Sequence, residues 1–160
     1  MLEAAILRAL EPRHILFLCV QNSARSQMAE GIARFLAPPG VKVSSAGSSP
    51  ASVRPQAILV LREIGIDISD HRSKSISEID AASVDAVVTL CAEEVCPVFL
   101  GNALRLHWAL PDPAKAAGDD QAMLGAFRAV RDDLFRRMKL VFDAWTPPEA
   151  GKGNSDVRTR

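Results

Sequence analysis

The run His14-Ile15-Leu16-Phe17-Leu18 leads directly into Cys19, with Arg25 at the sixth position beyond the cysteine and Ser26 beside it. Residues 14–18 read as a buried strand, and from residue 23 to residue 36 the apolar spacing is that of a helix. A strand, a short loop and a helix in that order restrict this part of the chain to a βα unit with the loop at the strand's carboxyl end. The five residues between Cys19 and Arg25 suffice to turn their backbone N–H groups inward as an anion-binding nest, which the guanidinium closes around a tetrahedral oxyanion. The helix directs its positive end into the same loop. Cys19 alone would pass for a buried structural thiol, because free cysteine is among the most buried residue types. In this setting it reads as a nucleophile: a thiol attacks as thiolate, a form that positive charge and a helix N-terminus favour. Ser26 is placed to donate to the sulfur, and Asn22 is a short polar residue able to take left-handed dihedrals and pin the loop. Both also suit ordinary helix capping. The candidate oxyanion-binding set is Val20, Gln21, Asn22, Ser23, Ala24, Arg25 and Ser26.

The rest of the chain repeats the alternation. Residues 1–12 form a short amphipathic helix or a loose arm ended by Pro12, so that residues 1–13 are an extension ahead of the core. Pro38-Pro39-Gly40 stops the first long helix, and residues 41–46 alternate as a second strand ended by Gly47-Ser48-Ser49-Pro50. Val53, Ala57, Val60, Leu61 and Ile64 recur at helical spacing over residues 53–64, with Gly65 where a C-terminal cap belongs. Residues 67–78 are polar and irregular, and residues 77–82 allow a short helix. Residues 84–90 are rich in β-branched side chains and read as a third strand, residues 104–108 as a fourth. Met123, Phe127, Val130, Leu134, Met138, Val141 and Phe142 mark a long helix from about residue 121 to residue 145. Strands alternating with helices imply an α/β fold: a four-stranded parallel sheet with right-handed crossovers and helices on both faces, in a single domain over residues 14–146. Residues 147–160 carry no apolar face and read as a disordered tail. Ligands of such sheets bind at the carboxyl ends of strands. Cys19, Cys91 and Asp112 follow the first, third and fourth strands, so they are expected to converge on one edge.

Nineteen basic and nineteen acidic residues give a formal net charge of zero. With no basic cluster, a nucleic-acid surface is excluded. Glu3 and the lack of a basic segment before the first apolar residues argue against a signal peptide, and no apolar run approaches a membrane span. The expectation is a cytoplasmic chain with no membrane contact. Three cysteines are an odd number for a chain without an export signal, which points to thiol chemistry rather than a disulfide framework.

Cys91 and Cys96 have four residues between them. The three histidines, His14, His71 and His107, are scattered, so a zinc site does not fit and no metal or cofactor is expected. On one continuous helix the two Cα atoms would lie about 7.5 Å apart along the axis and on different faces, whereas a disulfide needs less than ~7 Å. A bridge between them requires a loop, or a helix that unwinds on oxidation. Without Cys19, Cys91 would read as a buried strand-end residue and Cys96 as an incidental surface thiol. Asp112, held between Pro111 and Pro113, sits on a stiff loop suited to aiming an acid at a leaving oxygen, although Asp-Pro is also ordinary turn chemistry. His107-Trp108 is expected to close the core, and His71 to be structural or solvent-facing.

Phe17-Leu18-Cys19 through Gln27-Met28-Ala29-Glu30-Gly31, then Ser45-Ala46-Gly47, Gly65-Ile66-Asp67-Ile68-Ser69, Val88-Thr89-Leu90-Cys91, Cys96-Pro97 and His107-Trp108 through Asp112-Pro113-Ala114 together resemble the thiol-coupled (thioredoxin-type) arsenate reductases, which are built on the low-molecular-weight protein tyrosine phosphatase fold. The resemblance covers roughly residues 14–143. It implies that Cys19 attacks arsenate held by the loop and Arg25, that Asp112 is the acid, and that Cys91 and Cys96 are the resolving cysteines of a three-thiol relay. It further implies competition from phosphate and sulfate, and a partner that restores the thiols: thioredoxin, glutaredoxin or a small thiol. Nothing suggests an obligate oligomer, so a monomer is expected. Four departures stand out. Ala24 replaces a frequent loop cysteine, Gln21 stands where glycine is common, and the resolving pair is closer than usual in sequence. Some relatives also hold potassium beside the loop; Asn22, Glu30 and Ser45 match that set, but Lys74 takes the aspartate's place, so its ammonium is expected to substitute for the ion. Two alternatives remain at this level. A phosphatase working through a phosphocysteine would use Cys19, Arg25 and Asp112, although the chain has no tyrosine with which to line an aryl cleft. A non-enzymatic sensor would use only the three cysteines, chelating arsenite.

Overall fold

Every residue of strand β1 (His14–Cys19) is buried, as the apolar run demands of a strand covered on both faces. The computed structural model describes residues 2–92, 97–99, 101–143 and 145. Within them β1 is followed by α2 (Arg25–Leu36), β2 (Lys42–Gly47), α3 (Pro55–Arg62), β3 (Ala86–Thr89), β4 (Leu104–His107) and α4 (Asp120–Phe142), and preceded by α1 (Leu2–Leu10). The four strands form one parallel sheet in the order β2-β1-β3-β4. The order reverses at β1, so the switch point of the sheet lies above Cys19, where ligands of open α/β sheets bind.

Alternation along β1 divides the core. Ile15 and Phe17 face a large cluster with Val43, Ala86, Val88 and Leu106, to which all four α-helices contribute: Ala4 and Leu7, Met28 and Ile32, Ala57 and Leu61, Phe127 and Leu134. Leu16 and Leu18 face a smaller cluster with Ala46, Val84, Val87 and Phe99, against which Ile76, Ile79 and Ala81 pack. That second face is covered by two single 3₁₀ turns, Ile76–Glu78 and Ala81–Ser83, where residues 77–82 suggested one short helix. Ser75 and Asp80 are the N-caps of these two turns, each three residues long. Helical pieces therefore lie on both faces, α-helical on one and 3₁₀ on the other.

Most expected elements are found within one to three residues. The first long helix begins at Arg25 rather than residue 23, since residues 20–24 are used by the loop. The long C-terminal helix ends at Phe142, short of the expected residue 145. Gly65 takes φ +81° and closes α3 as expected, with Ile66 N–H reaching the Leu61 carbonyl at 3.0 Å. Gly31 lets α2 and α3 touch: a Cβ there would meet Ile68 at 2.6 Å and Leu61 at 3.0 Å. Among the described residues no helix is long and apolar enough to cross a membrane. The expected disordered tail, residues 147–160, lies outside the described residues, as does Cys96.

Candidate active site

The loop between β1 and α2 is held from outside by its carbonyls. Those of Val20, Gln21 and Ser23 accept from the N–H groups of Ser49 (2.9 Å), Ala51 (3.1 Å) and Arg54 (2.8 Å). The Asn22 carbonyl accepts from Ser73 Oγ at 2.7 Å and Gln27 Nε2 at 3.2 Å. With the carbonyls turned outward, the loop amides are left for the concave side. Asn22 supplies the bend at φ +49°, a left-handed conformation that asparagine tolerates. Its side chain is fixed by Gln27 Nε2 and the Lys74 N–H on Oδ1, both at 2.9 Å. Gly47 leaves room for this bend, because a Cβ would stand 2.3 Å from the Val20 oxygen and 2.9 Å from the Asn22 nitrogen. The N-terminal turn of α2 has no side-chain cap, so its first amides remain for a ligand.

Cys19 Sγ lies at the foot of this loop, 2.8 Å from Ser26 Oγ and 3.2 Å from the donating Asn22 N–H. Asn22 Nδ2 donates to the same hydroxyl at 2.8 Å, which leaves the Ser26 proton for the sulfur. Asn22 and Ser26 are thus behind the loop and hold the nucleophile. Val20, Gln21, Ser23, Ala24 and Arg25 line a cavity of about 120 Å³ together with Cys19, Asp112 and Lys115. The buried Arg25 donates to the carbonyls of Leu110 (3.1 Å) and Leu90 (3.5 Å), which tie it to the ends of β4 and β3. Its other amino group stands 3.8 Å from Asp112 Oδ2. Asp112 Oδ1 accepts from Ala114 N–H at 3.0 Å and caps the 3₁₀ turn Pro113–Lys115. One carboxylate oxygen thus fixes the turn, as ordinary Asp-Pro turn chemistry does, while the other stands beside Arg25 in a residue that lines the cavity.

The register pairs Leu18 with Thr89, and Leu90 N–H donates to the Leu18 carbonyl at 3.0 Å. Cys91 consequently follows the end of the strand adjacent to Cys19, on strands about 4.8 Å apart, and is buried. Lys115 escaped the sequence reading because a single lysine in a polar segment carries no pattern; only its place one turn after Asp112 hinted at it. Trp108 closes the core as expected, but His107 does not: at the end of β4 it is exposed and meets the Thr89 hydroxyl at 2.6 Å.

Behind the loop lies a buried polar network. His71 Nδ1 is 2.9 Å from Glu30 Oε2 and 3.1 Å from Gln27 Oε1; both are acceptors, so that nitrogen carries the proton. Arg34 and Lys74 stand 3.4 Å and 3.7 Å from Glu30 Oε1. Burial pushes the Glu30 carboxyl up, but the His71 hydrogen bond and the charges of Lys74 and Arg34 outweigh it and hold it below the usual glutamate value. Asn22 Oδ1 already accepts two N–H groups and Glu30 already faces three basic side chains. The residues present do not fit a potassium ion, although the buried Ser45 hydroxyl has no hydrogen-bond partner.

Residues 14–145 match the family described as low molecular weight phosphotyrosine protein phosphatase. An arsenate reductase of Halalkalibacterium halodurans is 45% identical over 127 residues, 78% of this chain and 91% of that protein. The solved arsenate reductase of Archaeoglobus fulgidus superposes with a TM-score of 0.69 at 29% identity, over 81% of this chain and 98% of its own. An arsenate reductase solved in a phosphate-binding state superposes with a TM-score of 0.69 at 33% identity, over 83% and 98%.

Proposed function

The chain belongs to the low molecular weight phosphotyrosine protein phosphatase family, and from that premise we propose that it reduces arsenate to arsenite. The observation that carries this reading is Cys19, held by two donors at the foot of an oxyanion-sized cavity, with a second buried thiol, Cys91, just past the neighbouring strand end. The Cys19 thiolate attacks arsenic while the loop amides and Arg25 take up the oxygen charge. A sulfur–arsenic bond forms, an arsenic–oxygen bond breaks, and Asp112 gives the departing oxygen its proton. The Cys91 thiolate then attacks Cys19 Sγ. A Cys19–Cys91 disulfide forms, the sulfur–arsenic bond breaks, and its electron pair stays on arsenic, which leaves as arsenite. Cys96 attacks Cys91 in turn, freeing Cys19, and a dithiol such as thioredoxin takes the Cys91–Cys96 bridge back to thiols. Phosphate and sulfate, with the same shape and charge, compete for the cavity.

A phosphatase would share the cavity and the acid, but water completes its cycle and a second buried thiol has no part in it. The test is arsenate-dependent oxidation of a thioredoxin system by the wild type and by Cys19→Ser, Cys91→Ser and Cys96→Ser. Multi-turnover activity is expected to vanish in all three. Full activity in Cys91→Ser would overturn the relay, and full activity in Cys19→Ser would overturn the whole reading.

A further inference from the structure

The oxyanion cavity has a second cation at its wall. Cys19, Arg25, Asp112 and Lys115 are the titratable side chains that line it. Arg25 is buried and committed to the carbonyls of Leu90 and Leu110 and to Asp112. With Cys19 as the attacking thiolate, Arg25 leaves the wall with no net positive charge before any substrate arrives. The incoming arsenate is itself a dianion at neutral pH. Lys115 offsets this imbalance: it is exposed, it lines the cavity, and it closes the same 3₁₀ turn that Asp112 caps. One rigid turn thus carries both the acid and a cation.

We propose that Lys115 is a specificity-determining residue that draws the pentavalent oxyanion dianion into the cavity and does not retain the trivalent product. The inference rests on the arsenate-reductase reading above. Its physical basis is the difference in charge between the two arsenic species. Arsenate arrives as a dianion, whereas arsenous acid is neutral at the same pH. A cation at the mouth therefore favours substrate over product by charge alone, and a cleft lined in this way raises the local concentration of the anion it faces. Because Lys115 is solvated, its effect is screened by salt.

Steady-state kinetics of the full chain test this with Lys115→Met and Lys115→Arg. Lys115→Met is expected to raise KM for arsenate roughly 3- to 10-fold, the size a unit charge about 6 to 12 Å from a dianion gives at water-like screening, while kcat at saturation holds. Lys115→Arg should restore KM. The fall of kcat/KM with added sodium chloride should flatten in Lys115→Met, and inhibition by arsenite should stay unchanged. KM for arsenate and arsenite inhibition moving together would reveal a merely structural effect and overturn the proposal, as would an unchanged KM and salt slope. Calorimetric arsenate binding to Cys19→Ser, with and without Lys115→Met, separates the two levels of inference. Weaker binding in the double variant, in a protein whose wild type shows no arsenate turnover, would sink the reductase reading and leave Lys115 as an oxyanion-recruiting residue. Equal binding would sink the Lys115 proposal alone.

Discussion

At the scale of single residues, the reactivity of Cys19 depends on atoms that touch sulfur and on atoms that make room for them. Ser26 Oγ at 2.8 Å is the closer of the two donors, and hydrogen bonds to a charged group contribute about 1.5–3 kcal/mol. Ser26→Ala is expected to lower kcat for arsenate by about 10- to 100-fold. A kcat within twofold of wild type would show that the Asn22 amide alone suffices. Gly47 acts at one remove. In Gly47→Ala the new methyl would press on the Val20 carbonyl and Asn22 nitrogen, both backbone atoms of the loop, which cannot swing away as a side chain could. Overpacking of this kind costs about 1–3 kcal/mol, and for a chain of this size each kcal/mol lowers Tm by roughly 2–4 °C. Weaker phosphate binding should accompany the lower Tm, since the displaced atoms belong to the nest; an unchanged phosphate affinity would show that the loop is not set by Gly47.

At the scale of elements, two packings reach the site from outside it. Residues Glu3 and Ala4 of α1 and Arg136, Arg137 and Leu140 of α4 enclose a cavity of about 200 Å³ beside Trp108, whose ring lies 5.6 Å from the Arg137 guanidinium carbon. The chain from Trp108 onward carries the Leu110 carbonyl that holds Arg25, and then Asp112 itself. Deleting residues 1–12 removes α1, which precedes the residues matched by the family. The deletion is expected to cost at least the burial of Leu7, about 2 kcal/mol, and, in a Trp145→Phe background, to shift Trp108 emission to the red. Lost stability without that shift would mean that α1 does not shield Trp108. The second packing sets residues 71–74 against α2. Burial pushes the Lys74 ammonium down, with Glu30 partly restoring it, so the charge opposite Glu30 is supplied by the chain. Tm in potassium chloride is expected to equal Tm in sodium chloride for the wild type, and to rise selectively with potassium in Lys74→Asp. Selective stabilisation of the wild type by potassium would refute the substitution of lysine for the ion.

At the scale of the whole molecule, what could be read in advance was what is local in sequence. The nucleophile loop lies within eight residues, Cys19 to Ser26, and the face of α4 declares itself through spacings of three and four. Glu30 is different: its partners His71 and Lys74 lie 41 and 44 positions away, no local pattern links them, and only the family resemblance pointed to Lys74. The same holds for Lys115, and for α1, whose amphipathicity announces a helix but not the surface it covers. Such long-range pairings also set how the molecule responds to acid. His14 is buried between Ser83 Oγ at 3.1 Å and Ser44 Oγ at 2.8 Å, joining β1, β2 and the 81–83 turn. Burial, and then the charge of Lys42, hold it below the ordinary value of 6.5. The unfolded chain therefore takes up that proton first, so the stability His14 contributes is present above pH 6.5 and is lost as pH falls below it. Glu30 is likewise depressed in the folded state, below 4.5, so its contribution persists above pH 4.5 and is lost only as pH falls further. Urea midpoints followed down the acid range should thus fall in two stages, first below 6.5 and again below 4.5. His14→Gln should flatten the first stage and leave the second, whereas a first stage that survives in His14→Gln would place its origin elsewhere in the fold.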